Sequence, residues 1–251
     1  MSEYTTVFGL NFSPKSQAEL AAQITRDRIG EGAGLRCIYT ANLDHIVQLR
    51  RNPELRQAYS RAWAVTADGM PVFLYAKARR ALPMRVTGSD LFADVLGSLT
   101  PGEHRCFFVP SSNETARLLI GHLMARGFDR ASIDYDVPPL GFENDADYSL
   151  NLAGHIRAHG TTHLFFGVGA PKSEIWIDEH REMLGDCYVL CAGAGLDFFV
   201  GTKQRAPVIF QRFGFEWFWR FSHEPRRLFR RYFIDSWSFI AAVGEDLLHH
   251  H

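Results

Sequence analysis

The chain has 251 residues, of which 46% are hydrophobic, and its formal net charge is −1 at pH 7. This length and composition predict a full hydrophobic core in one large α/β domain, with room for an appendage, and exclude a largely disordered chain. The near-zero net charge argues against a general nucleic-acid-binding protein, because proteins that track phosphate backbones carry a large basic excess.

Nothing in the sequence predicts secretion or a membrane span. The N-terminus, MSEYTTVFGLNF, lacks the charged start and apolar core of a signal peptide, and no run of about 18 apolar residues exists. The four cysteines lie in apolar runs without a C-x-x-C pair, which indicates reduced, buried thiols in a cytoplasmic protein. Residues 249–251 are histidines that resemble a purification-tag remnant, so they are not counted as candidate ligands.

Short apolar runs rich in β-forming residues alternate with helical patterns along residues 1–200. Most of these runs are apolar on both sides, which is typical of a parallel sheet covered by helices on both faces. The alternation predicts a Rossmann-like α/β catalytic domain with a mostly parallel sheet. The predicted strands are Thr5–Leu10, Leu35–Tyr39, Trp63–Thr66, Arg105–Val109, Ile133–Asp136, His163–Val168 and Cys187–Ala192.

After Val200 the strand pattern ends, and a helical appendage over residues 201–248 is predicted. Its helical segments are Phe215–Phe221, Pro225–Phe233 and Ile234–Leu248.

Four loops that follow predicted strands are candidates for the functional site. Ligands of open α/β sheets bind outside the carboxyl ends of the strands, so these loops are expected to face one crevice. They are Thr40–Asn42, Ala67–Gly69, Gly167–Lys172 and Gly193–Gly195.

The dinucleotide-binding fingerprint fails at its third glycine in both glycine turns. Gly167-x-Gly169 is followed by Lys172, and Gly193-x-Gly195 by Phe198, where the fingerprint requires Gly or Ala. A nicotinamide-dependent oxidoreductase is therefore disfavoured. The turns still suit an anion held by backbone N–H groups, although glycines that only make tight turns explain them equally well.

Two acids in these loops are candidates for proton transfer or binding. Asp68 follows a buried strand and precedes a glycine, which places a carboxylate on the crevice floor, where it can accept a proton. The ordinary pKa of an aspartate is about 3.9, which is low for a base at neutral pH. Asp68 could act as a base if burial raises its pKa, or if the proton is transferred late in a concerted step. A simple turn residue is an equally good explanation of this Asp-Gly pair. Asp197 is the second candidate, with a loop-capping role as its alternative.

The D-x-D patterns Asp134–Asp136 and Asp145–Asp147 resemble those with which sugar-nucleotide transferases hold a divalent cation. The pattern is weak in an acidic chain, and the first would lie on the solvent side of an edge strand. His155 and His159 share a helix face without a third ligand, which favours surface histidines. No metal site is predicted.

Basic residues are concentrated in one C-terminal segment. Residues Lys203–Tyr232 contain eight Lys or Arg and two acids, whereas the rest of the chain is net acidic. A guanidinium group can donate two parallel hydrogen bonds to phosphate oxygens, and its charge neutralises a diphosphate leaving group. A basic face can also bind anionic lipid. The interleaved aromatics either enter a lipid interface or pack on the protein. The arginines are Arg205, Arg212, Arg220, Arg226, Arg227, Arg230 and Arg231.

Seven motifs stand in order between Thr40 and Tyr232. They are Thr40-x-Asn42, Ala67-Asp68-Gly69, Thr87-Gly88-x-Asp90-Leu91, Gly169-x-Pro171-Lys172-x-Glu174, Arg205-Ala206-Pro207, Glu216-Trp217-x-x-Arg220 and Glu224-Pro225-x-Arg227. Together they resemble the motifs of the WecG/TagA/CpsF bacterial glycosyltransferases, family 26.

The resemblance implies an inverting transferase that moves a hexose or an N-acetylhexosamine such as ManNAc from a UDP-sugar to a polyprenyl-diphosphate-linked saccharide during surface polysaccharide synthesis. It implies a peripheral protein on the inner face of the cytoplasmic membrane, held there by the appendage, with no metal or other cofactor. The sequence leaves open whether the chain forms a homo-oligomer. A non-catalytic membrane adaptor is the main alternative function.

Residue roles follow from the resemblance together with the loop positions. The resemblance implies that Asp68 is the general base, and the family's usual Gln is Ser at position 173, which puts the sugar identity in doubt. The predicted substrate-binding residues are Thr40, Asn42, Gly69, Gly88, Gly169, Pro171, Lys172, Ser173, Glu174, Gly195, Asp197, Arg205, Arg220 and Arg227.

Overall fold

A computed structural model describes residues 6–79, 84–207, 210, 219 and 235–249 of the chain. Six strands form one sheet in the order β2-β1-β6-β5-β3-β4, and every neighbouring pair is parallel. The strands are β1 (Arg36–Ala41), β2 (Ala64–Ala67), β3 (Cys106–Val109), β4 (Ile133–Tyr135), β5 (His163–Phe166) and β6 (Tyr188–Cys191). The predicted Rossmann-like α/β class is confirmed.

Helices connect the strands and cover the sheet. They are α1 (Gln17–Arg26), α2 (Leu43–Leu49), α3 (Pro53–Ser60), α4 (Met70–Ala78), α5 (Gly88–Ser98), α6 (Asn113–Ala125), α7 (Ala146–Ala158), α8 (Lys172–Glu179), α9 (Arg181–Leu184), α10 (Gly195–Val200) and α11 (Asp235–His249). Short 3-10 helices occupy Arg130–Ser132 and Phe142–Asn144.

The strands are apolar on both sides because each side contributes to a different core. On β1, Cys37 and Tyr39 pack with α2, α3, α4, α7, α8, α9 and α11, whereas Ile38 packs with α1, α5, α6 and α10 on the opposite face. Burial of apolar surface on both faces stabilises the sheet and fixes its position between two helical layers.

All four cysteines are buried and free, as the apolar runs predict. Burial raises the pKa of the Cys106 thiol to about 12. These thiols therefore stay protonated at neutral pH and act as small apolar core residues.

The predicted N-terminal strand Thr5–Leu10 is wrong. Val7 and Leu10 instead pair across a tight turn whose central residues have positive φ, 55° at Phe8 and 70° at Gly9. This turn reverses the chain before it can extend along the sheet, and of the described residues before α1 only Phe12 bridges to the sheet, in parallel with Val65 of β2.

The C-terminal helix α11 packs back on the α/β domain, beside α2 and α4. The buried carboxylate of Asp246 accepts hydrogen bonds from the Phe8 N–H at 2.5 Å and the Tyr75 hydroxyl at 2.8 Å. Arg50, at the end of α2, donates to Glu245 and to the Ser238 carbonyl. The last predicted helix, Ile234–Leu248, is thus confirmed within one residue at each end, whereas the two preceding predicted helices lie almost wholly outside the described residues.

Among the described helices the longest has 15 residues, and none is long and apolar enough to cross a bilayer.

Candidate active site

The carboxyl ends of β1, β6 and β5 border a crevice at which the chain changes face. The helices that follow β1 and β5 pack on one side of the sheet, whereas α10, which follows the central β6, packs on the other. Loops that leave adjacent strands towards opposite faces are separated by a gap, and open α/β sheets bind their ligands in such gaps.

The loops after β1 and β2 meet each other and the start of α5 at this edge. A Cβ placed on Gly69 would lie 3.2 Å from Cβ of Asn42, and one on Gly88 would lie 3.0 Å from Oγ1 of Thr40. Because no side chain separates these backbones, Thr40, Asn42, Gly69 and Gly88 are brought into one cluster.

The loops after β6 and β5 continue the same edge. A Cβ on Gly195 would lie 3.0 Å from Cα of Ser89, and one on Gly167 would lie 3.3 Å from the carbonyl oxygen of Gly193. The four loops predicted from sequence therefore adjoin one another along this edge of the sheet.

Asp68 stands directly after β2 in this crevice, half-buried. Its backbone N–H donates to the Ala41 carbonyl at 3.0 Å, which fixes the turn. Its Oδ2 accepts from the Gly88 N–H at 3.4 Å, and Gly88 is the first residue of the 11-residue helix α5. Free N–H groups at a helix start favour negative charge, so this position suits an ionised carboxylate.

Asn42 caps the N-terminus of α2 with its side-chain carbonyl, which accepts from the Asp44 and His45 N–H groups at 2.9 and 3.3 Å. This contact leaves the amide –NH2 as the part of Asn42 that can donate to a ligand. Nδ1 of His45 in turn accepts from the Asn42 N–H at 3.3 Å, so the proton of a neutral His45 lies on Nε2.

Glu174 points into the protein interior. It is 3% exposed, and its Oε1 lies 3.7 Å from Nε2 of His45. Its Oε2 and the buried Tyr59 hydroxyl have no hydrogen-bond partner among the described residues. Burial, and then the charge of Glu174, raises the pKa of Tyr59 well above its usual range. The carboxylate thus faces His45, and a contact between Glu174 and substrate stays a prediction.

The loop after β5 ends in the first turn of α8. Ser173 is 1% exposed, and its hydroxyl donates to the Gly169 carbonyl at 3.0 Å, so it closes its own loop. Pro171 precedes the helix, and Nζ of Lys172 lies 6.0 Å from the centre of the Phe142 ring. Within this loop Lys172 is the cationic side chain.

Asp197 lies in the first turn of α10 but is 2% exposed. Its carboxylate accepts from the hydroxyls of Ser111, at 3.0 Å, and Thr115, at 2.7 Å, and from Lys203 Nζ at 2.6 Å. These three donors fit the loop-capping alternative, and the substrate contact of Asp197 stays a prediction.

Arg205 is paired with Asp90, in the first turn of α5. Its two terminal nitrogens donate to the two carboxylate oxygens of Asp90, one of them at 3.2 Å. This is the two-pronged geometry with which guanidinium groups also bind phosphate. The predicted arginine ligands Arg220 and Arg227 lie outside the described residues.

The D-x-D carboxylates do not converge. Asp134 pairs with Nε2 of His155 at 2.9 Å, Asp136 accepts from the Tyr148 hydroxyl, and Asp145 caps α7. Within the described part of the chain no three His, Cys, Asp or Glu residues could together hold a metal ion.

Two residues at this site escaped sequence reasoning. His45 replaces the Glu or Gln that usually completes a capping box, so the pattern for α2 did not reveal it. Asp90 belongs to the Thr87-Gly88-x-Asp90-Leu91 motif, and an acid three residues after Thr87 is a helix-start signal that could have indicated its contact with the N-cap.

Comparison with known proteins identifies relatives that act on a lipid-linked sugar. A protein of Bacillus spizizenii (strain ATCC 23059 / NRRL B-14472 / W23) is 26% identical over 193 residues, 76% of this chain and 72% of its own length. Proteins of Staphylococcus aureus strains MW2 and NCTC 8325 are 22% identical over 225 residues, 89% of this chain and 86% of theirs. All three are named N-acetylglucosaminyldiphosphoundecaprenol N-acetyl-beta-D-mannosaminyltransferase.

A family profile described as "Glycosyl transferase WecG/TagA/CpsF family" matches residues 5–251. The match covers the crevice, the appendage and each of the seven ordered motifs. The chain belongs to the WecG/TagA/CpsF family of glycosyltransferases.

Proposed function

We propose that the chain transfers N-acetylmannosamine, or a related hexose, from a UDP-sugar to a polyprenyl-diphosphate-linked saccharide. Family membership supports sugar transfer, and the relatives' names support an N-acetylglucosaminyl-diphosphoundecaprenol acceptor. The observation that carries the proposal is the Asp68 carboxylate, held by the Gly88 N–H in a crevice bordered by two glycine loops.

Asp68 acts as the general base in this mechanism. An acceptor hydroxyl oxygen attacks the anomeric carbon of the donor, and its proton passes to the Asp68 carboxylate as the new C–O bond forms. The bond from the anomeric carbon to UDP breaks with its electron pair on the diphosphate. Attack from the face opposite UDP inverts the configuration, which converts an α-linked donor into the β-linkage in the relatives' names.

The charge that develops on UDP requires donors at the opposite side of the crevice. Lys172, at the start of α8, is a cation available there, whereas the N–H groups of Gly193 and Gly195 already donate to the Phe166 and Ala192 carbonyls. Arg220 and Arg227 remain the predicted arginine ligands of the diphosphate. With these cations the reaction is proposed to need no divalent metal.

The site of action is proposed to be the inner surface of the cytoplasmic membrane. The acceptor carries a polyprenyl chain that must stay in the bilayer, and the segment Lys203–Tyr232 is basic and aromatic. α11 supports this location because its outward side chains Trp237, Ile240 and Leu248 are 74%, 61% and 76% exposed.

Release of UDP, measured for a panel of UDP-sugars with a short-chain lipid-diphosphate N-acetylglucosamine acceptor, tests the proposal. One donor should support release that depends on the acceptor and persists in a chelator, and the product should have the inverted anomeric configuration by NMR. Replacing Asp68→Asn should reduce kcat/KM by about 100-fold to 10,000-fold, because the amide cannot accept the proton.

Asp94→Asn is the matched control. Asp94 lies on α5 at the surface, where it accepts from Gln17, away from the crevice. Activity of Asp68→Asn within a few fold of wild type would show that Asp68 is not the base, and acceptor-independent release would argue against transfer.

A further inference from the structure

The first turn of α5 contacts two residues of the proposed active site. Its Gly88 N–H donates to Asp68, and Gly88 lies so close to Thr40 that only a glycine fits without movement. The position of the base therefore depends on where this turn is held.

Asp90 stabilises this turn through hydrogen bonds to the N-cap of α5. Thr87, the N-cap, accepts from the Asp90 N–H at 3.2 Å and donates its hydroxyl to Asp90 Oδ2 at 2.7 Å. This reciprocal pair fixes the backbone on both sides of Gly88.

Arg205, which lies outside α5, stabilises the same turn by binding Asp90. Both of its terminal nitrogens donate to the Asp90 carboxylate, and the guanidinium side chain is 21% exposed. Burial raises the pKa of Asp90, but the hydrogen bonds from Arg205 and Thr87 outweigh it and leave that pKa below its usual value. The carboxylate is therefore ionised at neutral pH, and Arg205 has a fixed charged partner.

The segment that carries Arg205 is anchored on either side of it. Lys203 pairs with Asp197, Thr202 donates to the Asp197 carbonyl at 3.2 Å, and Ala206 is buried. Residues 201–207 thus join α10 to the start of α5, immediately before the appendage continues.

We propose that the Arg205–Asp90 pair positions the general base Asp68 by holding the first turn of α5, so that Arg205 is a positioning residue rather than a ligand of the donor diphosphate. The inference rests on the proposed function. If residues 201–207 move, Arg205 moves with them and the first turn of α5 loses its contact. Activity is therefore expected to depend on the position of the beginning of the appendage.

A double-mutant cycle with Arg205→Gln and Asp90→Asn tests the assignment. Each single variant should lower kcat by about tenfold or more, since small misplacement of a catalytic group costs rate. The double variant should be no worse than either single variant, because both break the same contact. The donor KM and the dissociation constant of UDP, measured by calorimetry, should stay within about twofold of wild type. The conservative variant Arg205→Lys should keep part of the kcat that Arg205→Gln loses.

A diphosphate ligand would give a different pattern. Arg205→Gln would then raise the donor KM and weaken UDP binding, Asp90→Asn would not reproduce the loss, and the effects would add. That result would overturn the proposal.

Arg126→Gln is the matched control on the same helix. Arg126 donates to the carbonyls of Leu96, Gly97 and Leu99, so its loss loosens the other end of α5. This variant should melt at a lower temperature but retain kcat.

Amide hydrogen exchange at Gly88 gives a readout that does not need turnover. Exchange should accelerate in Arg205→Gln and Asp90→Asn and stay unchanged in Arg126→Gln. If wild type releases no UDP, the proposed function fails, whereas unchanged Gly88 exchange in both pair variants would refute the positioning role alone.

Discussion

Gly88 lies where the first turn of α5 meets both Asp68 and Thr40. Its N–H reaches the carboxylate at 3.4 Å, and its Cα faces the Thr40 side chain with no room for a methyl group. Thr40 is 6% exposed and belongs to β1, which is paired with a strand on each side, so it cannot move away freely. The glycine is required here for close approach.

Replacing Gly88→Ala should therefore reduce activity more than stability. The new Cβ would lie 3.0 Å from Thr40 Oγ1 and 3.3 Å from Thr40 Cγ2, so the turn must shift by a few tenths of an ångström. We expect kcat to fall by about tenfold or more, because the shift moves the donor to Asp68. Initial rates and thermal melting measure the two effects.

Gly97→Ala, at the other end of α5, is its control. A Cβ there meets nothing within 4 Å, and alanine in a helix is about 0.5–1 kcal/mol more favourable than glycine. Gly97→Ala should raise the melting temperature with unchanged kcat. A fully active Gly88→Ala would show that the close approach is not needed.

The residues of the candidate site were more predictable from the sequence than the directions of their side chains. Asp68 and Asn42 follow strand ends, and that position places them at the crevice whatever their rotamers. Ser173 and Glu174 share a loop with Lys172, yet the structure turns both inward, because α8 begins within the motif and rotates successive residues by about 100° around its axis. The start of that helix could not be read from the motif.

At the scale of elements, His163 links the first residue of β5 to helix α1. Its Nε2 lies 3.0 Å from the Ile24 carbonyl, which can only accept, so the proton is on Nε2. Nδ1 lies 2.9 Å from the Thr162 hydroxyl. Burial lowers the pKa of His163 from its ordinary 6.5 to about 4, so it stays neutral in the folded protein above that pH.

Stability should therefore fall as the pH falls from 6.5 towards 4. In this window the unfolded chain binds a proton at position 163 that the folded chain does not, which lowers the free energy of unfolding by about 1.4 kcal/mol per pH unit. His163→Gln retains an N–H donor for Ile24 without a titrating group. Denaturant unfolding between pH 5 and 7 should show a shallower slope for this variant, and parallel slopes would contradict the assignment.

Most elements were predictable because each strand is a continuous apolar run between turn residues. The exception, Thr5–Leu10, has the same composition, but Phe8 and Gly9 both adopt positive φ. A turn that contains a non-glycine residue at positive φ depends on its packing, here of Phe8 against Tyr75 and Phe239. Those contacts come from α4 and α11, and a local pattern cannot reveal them.

At the scale of the whole molecule, α11 packs on the helices that follow Asn42 and Asp68 of the candidate active site. It contacts α2, which Asn42 caps, and α4, which follows Asp68, through Asp246 and Glu245. Asp246 is buried against the protein, whereas Trp237, Ile240 and Leu248 on the outward side of the helix are exposed. Exposed apolar side chains of this kind suit contact with lipid.

Replacing Trp237→Ser and Ile240→Ser together should weaken binding to vesicles that contain anionic lipid. Each large apolar side chain contributes about 1.5–3 kcal/mol when it is fully buried, so even partial insertion of both predicts at least about a tenfold loss in affinity. Both side chains are more than half exposed, 74% and 61%, so the melting temperature should not fall. UDP binding should also be unchanged, because the crevice is not altered.

Vesicle co-sedimentation at several salt concentrations separates this apolar contribution from the salt-sensitive attraction of the basic segment. Leu140→Ser is the control, since Leu140 is 97% exposed in the loop before α7, and equal vesicle binding by all three proteins would place the membrane contact elsewhere.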